Sequence, residues 1–463
     1  MIRDRADVGF AASALECARL FAAPKYPLRK LGELCVLVQY GCSALSSTEP
    51  KGWPIIRMNN LQQEGWDFSD LKYYQPSPEE AASYRVERGD ILFNRTNGSR
   101  DLVGKCEVFD EPGDWLFASY LIRIRVNRST ARPQFISQFL NTRAGRAVIL
   151  RSSRQILMSN INSREIRALE IPLPSLRIQE ELEAKLAMAK AEWERKLAEA
   201  EALLTSLNGW LLEQLGLTIP PADPRRVFAV RLRDVRPRLD VDFQSPKFRY
   251  LRAAIEKSVH HVVTVGSLCE KITAGFAAGP QDQAFDDASG IPHLRPLNLN
   301  THGQISFEGT KYVPTGVVKP SDFLQPNEVL FNNTNSTELV GKTAVFTGQR
   351  PCACSNHMTR LTLRAGINPH FITALFNAFR GIRLFGLLST NFNNQAGINT
   401  ETLSTLRLPL PDIPTQNDIA AEVVRRRETA HRLQAEAATE WAAAKAWFAE
   451  QLLGRSEEGK RNS

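Results

Sequence analysis

Two stretches of the chain carry apolar residues at steps of three and four. The first runs Ile178, Leu182, Leu186, Ala189, Trp193, Leu197, Ala200, Leu204, Leu207, Leu211, Leu215. The second runs Ile419, Val423, Ala430, Leu433, Ala437, Trp441, Ala444, Phe448, Leu452. This is the spacing of a long helix with one apolar seam and charged flanks, the pattern of a coiled coil. Gly216 and Gly454 follow at helix-terminating positions, and Thr415 with Asp418 suggests a capping box at the second start. Before each helix the pattern changes to short apolar runs broken by Gly, Pro and Asn, which predict strands. Ile91 to Phe93 and Leu121 to Val126 are examples, with Val329 to Phe331 and Met358 to Leu363 as counterparts. Each mixed region ends at a Pro-rich joint, Ile171-Pro-Leu-Pro174 or Leu408-Pro-Leu-Pro411, where proline stops one element and allows the next to begin.

These counterparts belong to an internal duplication. Gly-Asp-Ile-Leu-Phe-Asn (Gly89 to Asn94) aligns with Asn-Glu-Val-Leu-Phe-Asn (Asn327 to Asn332), and Leu102-Val-Gly-Lys105 with Leu339-Val-Gly-Lys342. Arg5 to Phe10 matches Arg238 to Phe243; Leu31 to Cys35 matches Val265 to Cys269; Ile161-Asn162 matches Ile398-Asn399; Trp210 matches Trp447. A dozen matches in one register predict two copies of one unit. The expected domains are 1–174, a spacer helix at 175–217, a connector with the second mixed domain at 218–411, a second spacer helix at 412–454, and a disordered tail at 455–463. The fold class is α+β, two repeated α/β domains each followed by a long helix. Two helices of equal length favour packing on each other. The first would extend about 57 Å at ~1.5 Å per residue, a rod that sets the distance between two domains.

Charge sharpens the picture. The 463-residue chain carries a net +8 and has a pI near 9.1. No Asp or Glu occurs from Trp115 to Arg164 or from Leu339 to Thr400, while both stretches are rich in Arg. The first helix is acidic instead. Lys and Arg gathered in the mixed domains point to a polyanion, because phosphate neutralisation drives nucleic-acid binding.

Catalytic motifs do not accompany this charge. Gly341-Lys342-Thr343 resembles the end of a P-loop, but Ser336 stands where its first Gly belongs. No Gly-x-Gly-x-x-Gly, His-Glu-x-x-His, Gly-x-Ser-x-Gly or Asn/Asp-Pro-Pro-Tyr motif is present. Seven cysteines in no disulfide-like spacing predict reduced thiols in a cytoplasm. Cys352, Cys354 and His357 make an incomplete zinc set and are read as structural. No apolar run reaches 18 residues, so no transmembrane helix is expected. A non-catalytic binding module accounts for these features better than an enzyme does. The aligned carboxylates Asp90 and Glu328 are expected to be structural.

The duplication also sorts the candidate site residues. Polar residues common to both halves should build the fold or grip phosphate, which is the same at every base. On this ground Arg57, Lys105, Arg123, Arg295, Lys342 and Arg360 are candidate phosphate ligands. Asn94 with Asn332 and Asn97 with Asn335 could equally form turns. Residues that differ should read bases. Arg95 faces Asn333 and Tyr120 faces His357 at otherwise matched positions. Arg suits guanine and Asn suits adenine in the major groove. The candidate base readers are therefore Arg95, Asn97, Tyr120, Asn333, Asn335 and His357. The loops Cys42 to Gly52 and Phe276 to Gly290 differ too.

Together, Gly89 to Asn97, the Leu-Val-Gly-Lys motif, the Ile-Asn before each joint, the Pro-Leu-Pro joints and the domain–helix–domain–helix order resemble the specificity subunit of type I restriction-modification systems. The resemblance covers nearly the whole chain. It implies that each mixed domain is a target-recognition domain reading half of a split, asymmetric site in double-stranded DNA. It also implies that the helices pair as an antiparallel coiled coil with pseudo-twofold symmetry. Two methyltransferase (modification) subunits would dock on them, carrying S-adenosylmethionine, and restriction subunits would join. This chain would hold no cofactor and no metal and would do no chemistry. Two departures are Ile178-Gln179-Glu180 and Thr415-Gln416-Asn417 in place of the usual Glu-Gln at the helix start, together with a long basic connector from Pro220 to Lys257. Three alternatives remain open: a specificity subunit of a related restriction or phage-defence system, a helical scaffold that binds no DNA, and an enzyme with an unrecognised site.

Overall fold

A computed structural model describes residues 15, 17–97, 103–152, 154–155, 159–219, 227–231, 235, 238–284, 290–348, 350–392 and 395–454. The Arg5–Phe10 match, Leu102 and the tail 455–463 lie outside them. The chain divides into two units, one of Met1–Lys196 with Ala435–Ser463 and one of Leu197–Gln434. The long helices are Leu176–Gln214 and Ile413–Leu453, as their spacing predicts, and each contributes part of its length to both units.

The first unit is organised by a four-stranded antiparallel sheet in the spatial order Cys35–Tyr40, Leu121–Val126, Ile91–Asn94, Cys106–Val108. All four residues of Ile91–Asn94 are buried. Side chains alternate across a strand, and here the alternation serves two cores. Ile91 and Phe93 join the helices through Phe135, Phe139 and Ile149. Leu92 points the other way, to Ile56, Phe109 and Phe117. A strand buried on both faces reads as an unbroken apolar run, which is why Ile-Leu-Phe stands out in the sequence. Among the described residues four smaller sheets complete the unit, one of them Leu61–Gln62 paired with Gly65–Trp66. Leu116–Phe117, Trp53–Ile56 and Lys72–Tyr74 form a second; Arg154–Gln155, Ser159–Asn160 and Thr96–Asn97 form a third; Leu28–Lys30 pairs with Glu170–Pro172.

The second unit repeats the main sheet and three of the smaller ones, with an isolated bridge Leu299–Ile305 where the first has the pair Leu61–Gln62 and Gly65–Trp66. Its main sheet runs Cys269–Ala274, Met358–Leu363, Val329–Asn332, Thr343–Val345. Phe331 pairs with Thr359 as Phe93 pairs with Ile122. Val329 and Phe331 enter one core and Leu330 another. Lys311–Val313, Ile291–Leu294 and Ala353–Cys354 form the counterpart three-stranded sheet, and His261–Thr264 pairs with Arg407–Leu410.

The helical seams are buried and antiparallel. In the first unit Trp193 lies 6.1 Å from Trp441 between ring centroids, and Lys196 Nζ reaches Glu440 at 2.7 Å and Glu436 at 3.3 Å. In the second, Ala200 and Leu204 pack with Ala430 and Leu433, and the Arg426 guanidinium lies over the Trp210 ring. Gly216 and Gly454 adopt positive φ (64° and 81°), as C-terminal glycines do. The expected capping box is corrected at the second start. The helix begins at Ile413, and Asp412 accepts from the Thr415 amide at 3.1 Å, because the cap must precede the first turn.

A glutamine ties each globular domain to its helix. Gln179 is wholly buried; its Oε1 accepts from the Arg132 amide at 2.9 Å and its Nε2 donates to the Pro174 carbonyl at 2.9 Å. Gln416 does the same with the Asn368 amide at 3.0 Å and the Pro411 carbonyl at 2.9 Å. In each case the amide side chain joins the Pro-rich joint to the residue that opens the next domain helix, at Pro133 or Pro369. Replacing Gln416 with Leu leaves a buried N–H and a buried C=O unpaired. The expected loss is about 2–4 kcal/mol of unfolding free energy, read by urea unfolding against the wild type. A loss below ~0.5 kcal/mol, the scale of an ordinary surface change, would remove the clamp from this account.

Candidate nucleic-acid interface

The shared basic residues turn inward. Lys342 Nζ donates to the carbonyls of Pro296 and Leu299, both at 2.6 Å. Lys105 Nζ donates to Leu61, the counterpart of Leu299, at 2.8 Å. Burial lowers the pKa of both lysines. The same turn is braced by a buried asparagine. Asn60 Oδ1 accepts from the Arg57 amide and Asn298 Oδ1 from the Arg295 amide, each at 2.9 Å. The Arg57 side chain bonds Asp70, and Arg295 bonds the Gly309 carbonyl. Arg123, 4% exposed, donates to Arg85 O, Ser83 O and Gln39. Arg360, 8% exposed, makes a two-pronged pair with Glu328 at 2.9 Å and also bonds Ser321 O and Phe323 O. Phosphate contact is therefore corrected for Arg123, Arg360 and Lys342, whose side chains are buried and bonded inside the fold. Lys105, Arg57 and Arg295 are likewise committed to loop carbonyls.

Asp90 and Glu328 play the expected structural part with different partners. Asp90 meets Arg125 at 2.6 and 2.8 Å. Glu328, one methylene longer, meets Arg360, while Thr362 stands at the place of Arg125 and donates at 3.2 Å. Both carboxylates also cap their turn, accepting from the Glu87 and Gln325 amides.

The acid-free stretches are also less cationic in space than in sequence. Arg125, Arg132 and Arg151 pair with Asp90 and Glu87, with Glu183, and with Glu170. Arg383 pairs with Glu338, whose pKa falls to about 2 as it accepts from that guanidinium. These acids lie outside the stretches, so sequence-local charge overstates surface charge.

The differing residues sit on one scaffold. The turn before Leu121 and the turn before Met358 are fastened by matching bonds. Arg95 N donates to Tyr120 O and Asn333 N to His357 O; Ile161 N donates to Arg95 O and Ile398 N to Asn333 O. The side chains of Arg95 and Asn333 do one job, donating to equivalent carbonyls, Ser119 at 2.9 Å and Asn356 at 3.1 Å. Gly41 and Gly275 let the opposing loop approach. A Cβ there would lie 2.3 Å from Phe117 O and 2.1 Å from Cys354 O.

On this frame Tyr120 is 53% exposed and His357 is exposed. Arg95 is half-buried beside Tyr120, its guanidinium 5.2 Å from the Tyr40 ring centroid and its Nη1 3.3 Å from Asn160 Oδ1. Base reading by Asn333 is corrected. It is 8% exposed, and its amide nitrogen is held by Asn356 O and Thr359 Oγ1. Asn335 is half-buried and accepts from the Ser336 amide, which fits turn formation. Asn97 pairs with Ser159 in a ladder, and its side chain lies outside the described residues. Cys352 and Cys354 lie in an apolar core away from any metal set, and burial pushes the Cys354 thiol up to about 12. Among the described residues no group of three or more His, Cys, Asp or Glu is placed to hold a metal.

The structure thus brings Arg95 and Tyr120 together on one edge and leaves His357 on the matching edge of the second unit. It withdraws Arg123, Arg360, Lys342 and Asn333 from the surface. Sequence reasoning missed the paired Asn60 and Asn298 and the paired Gln179 and Gln416. Their signal was present as identities in the register of the duplication.

The family model described as type I restriction modification DNA specificity domain matches residues 25–187. The chain is 24% identical over 181 residues to the type I restriction enzyme EcoKI specificity subunit of Escherichia coli K12, covering 38% of this chain and 37% of that one. It is 27% identical over 160 residues to the StySPI specificity subunit of Salmonella potsdam, covering 35% and 34%. The matched stretches thus span just over a third of these relatives. A chain from a solved structure concerned with assembly and conformational transition of the type I restriction-modification system shares the fold. Its TM-score is 0.54 at 15% identity, over 92% of this chain and 96% of the other. Residues 25–187, within the first unit, thus match the type I restriction modification DNA specificity domain, and the strand order of that unit's main sheet recurs in the second unit.

Proposed function

We propose that the chain reads double-stranded DNA as the specificity subunit of a type I restriction-modification system. Each globular domain reads one half of a split, asymmetric site, and the paired helices set the gap. Two methyltransferase subunits dock on the helices, carrying the S-adenosylmethionine whose methyl group they transfer to adenine. Restriction subunits join this core. The chain positions the enzyme and performs no chemistry itself, and its place is the cytoplasm; no helix among the described residues is long and apolar enough to cross a membrane.

The observation that carries this reading is the matched scaffold with mismatched display. The same backbone bonds hold Tyr120 outward in one unit and His357 in the other. A protein reading two different half-sites needs a common frame and different tips, whereas a pure scaffold has no need of either. Arg95, half-buried beside Tyr120, retains Nη groups at the edge and is proposed as a reader with it.

Methylome sequencing of a host carrying this gene with its methyltransferase gene, against deletion of this gene alone, tests the reading. A split motif with a fixed gap should lose adenine methylation on deletion. An unchanged methylome with the methyltransferase expressed would defeat the proposal.

Within the assembled enzyme, Tyr120→Ala should alter the preferred base in one half of the motif and leave the other half intact. Lys342→Met should instead cost about 1–3 kcal/mol of stability through the freed carbonyls. It should leave the slope of log affinity against log salt unchanged, since a buried lysine releases no counterion. A slope reduced by ~0.9, the value of one lost phosphate contact, would restore Lys342 to the DNA interface.

A further inference from the structure

The second unit contains a cavity of about 320 Å3 lined by Gly303, Gln304, Phe307, Val345, His370 and Arg427, among others. Arg427 is 8% exposed, and its Nε is buried without a hydrogen-bond partner. Among the described residues no carboxylate lies within ion-pair distance of it. Glu428 lines the rim and forms no pair with it. Burial alone draws the Arg427 pKa down to about 10. An arginine kept from water ordinarily finds an anion, because an unpaired buried charge is costly.

The first unit shows what belongs beside such a cation. Lys190 stands at the place of Arg427 in the duplicated register, and its Nζ lies 3.7 Å from Glu107, a carboxylate on the strand Cys106–Val108. Nearby, Glu64 pairs with Lys445 at 2.6 Å. In the second unit the strand position of Glu107 is Ala344, which pairs with Leu330 as Glu107 pairs with Leu92. Four residues after Asn298, where Glu64 follows Asn60, stands His302. Both carboxylates are gone and the cation remains. In their place are neutral hydrogen-bonding groups. His302 and His370 have pKa values lowered by burial and by Arg427, with Glu201 acting the other way on His302. Gln304 is bonded to His431 at 3.0 Å. Over Gly303 the Arg427 guanidinium comes near the Asn377 amide and the Thr373 methyl.

We infer that this cavity binds a small free oxyanion, a phosphate or carboxylate, on Arg427, supplying from solution the charge that Glu107 supplies within the first unit. Arg427 offers its guanidinium, and His370 and Gln304 are the neutral polar groups that line the cavity with it.

The test uses the full chain at constant ionic strength, with chloride exchanged for inorganic phosphate or for acetate. The wild type should show a saturable rise in unfolding temperature of roughly 5 °C with at least one of them. Arg427→Gln should abolish the rise without lowering the unfolding temperature in chloride, since it removes an uncompensated buried charge. Arg427→Lys, the residue of the first unit, should keep the rise. A flat wild-type response to both anions, or an undiminished rise in Arg427→Gln, overturns the inference. A readout independent of variant folding is an anomalous difference map of wild-type crystals soaked in selenate. A peak within hydrogen-bond distance of Arg427 supports the site, and an empty cavity beside Arg427 refutes it.

Discussion

Each globular domain depends on one four-residue strand with no solvent face. Ile91–Asn94 and Val329–Asn332 divide their side chains between two cores, so every neighbouring element is positioned by one of them. The strand Leu121–Val126 pairs along its length, and the turn just before that strand carries Tyr120. Lys105 and Lys342 leave the partner hairpin of the same strand and pin the loop around Asn60 and Asn298. Interiors packed this closely leave little freedom to shift, so variation is confined to what the frame presents.

That constraint explains which readings the sequence carried and which it hid. The helices and the doubly buried strands were legible because period and run length report burial directly. The duplication made the domain plan legible as well. The roles of the basic residues were not. Arg123 and Arg125 look alike in sequence, yet one is sealed against carbonyls and the other straddles Asp90. Whether a guanidinium faces water depends on partners dozens of residues away. Identity between halves meant fold more often than phosphate, because a buried hydrogen bond constrains residue type more tightly than contact with a uniform backbone does. Arg95 and Asn333 show the reverse case. Two different side chains meet equivalent carbonyls, so a difference in sequence concealed a common duty.

Electrostatics separates the two copies where their shape does not. The first unit closes its buried charges internally, through Asp90 with Arg125, Glu107 with Lys190, and Glu183 with Arg132. The second closes Glu328 with Arg360 but leaves Arg427 open.

The division of both long helices between the units bears on how the chain is made. Trp441, Phe448 and Leu452 belong to the same apolar core as Leu31, Phe93 and Phe135. The first unit therefore waits for residues synthesised some three hundred positions after its own sheet, while the second, contiguous from Leu197 to Gln434, has all its parts earlier. Long-range closure of this kind slows folding and leaves apolar surface open meanwhile. During translation the domain that begins first is completed last, and the quality of the final helix decides whether the opening half of the protein is ever sealed.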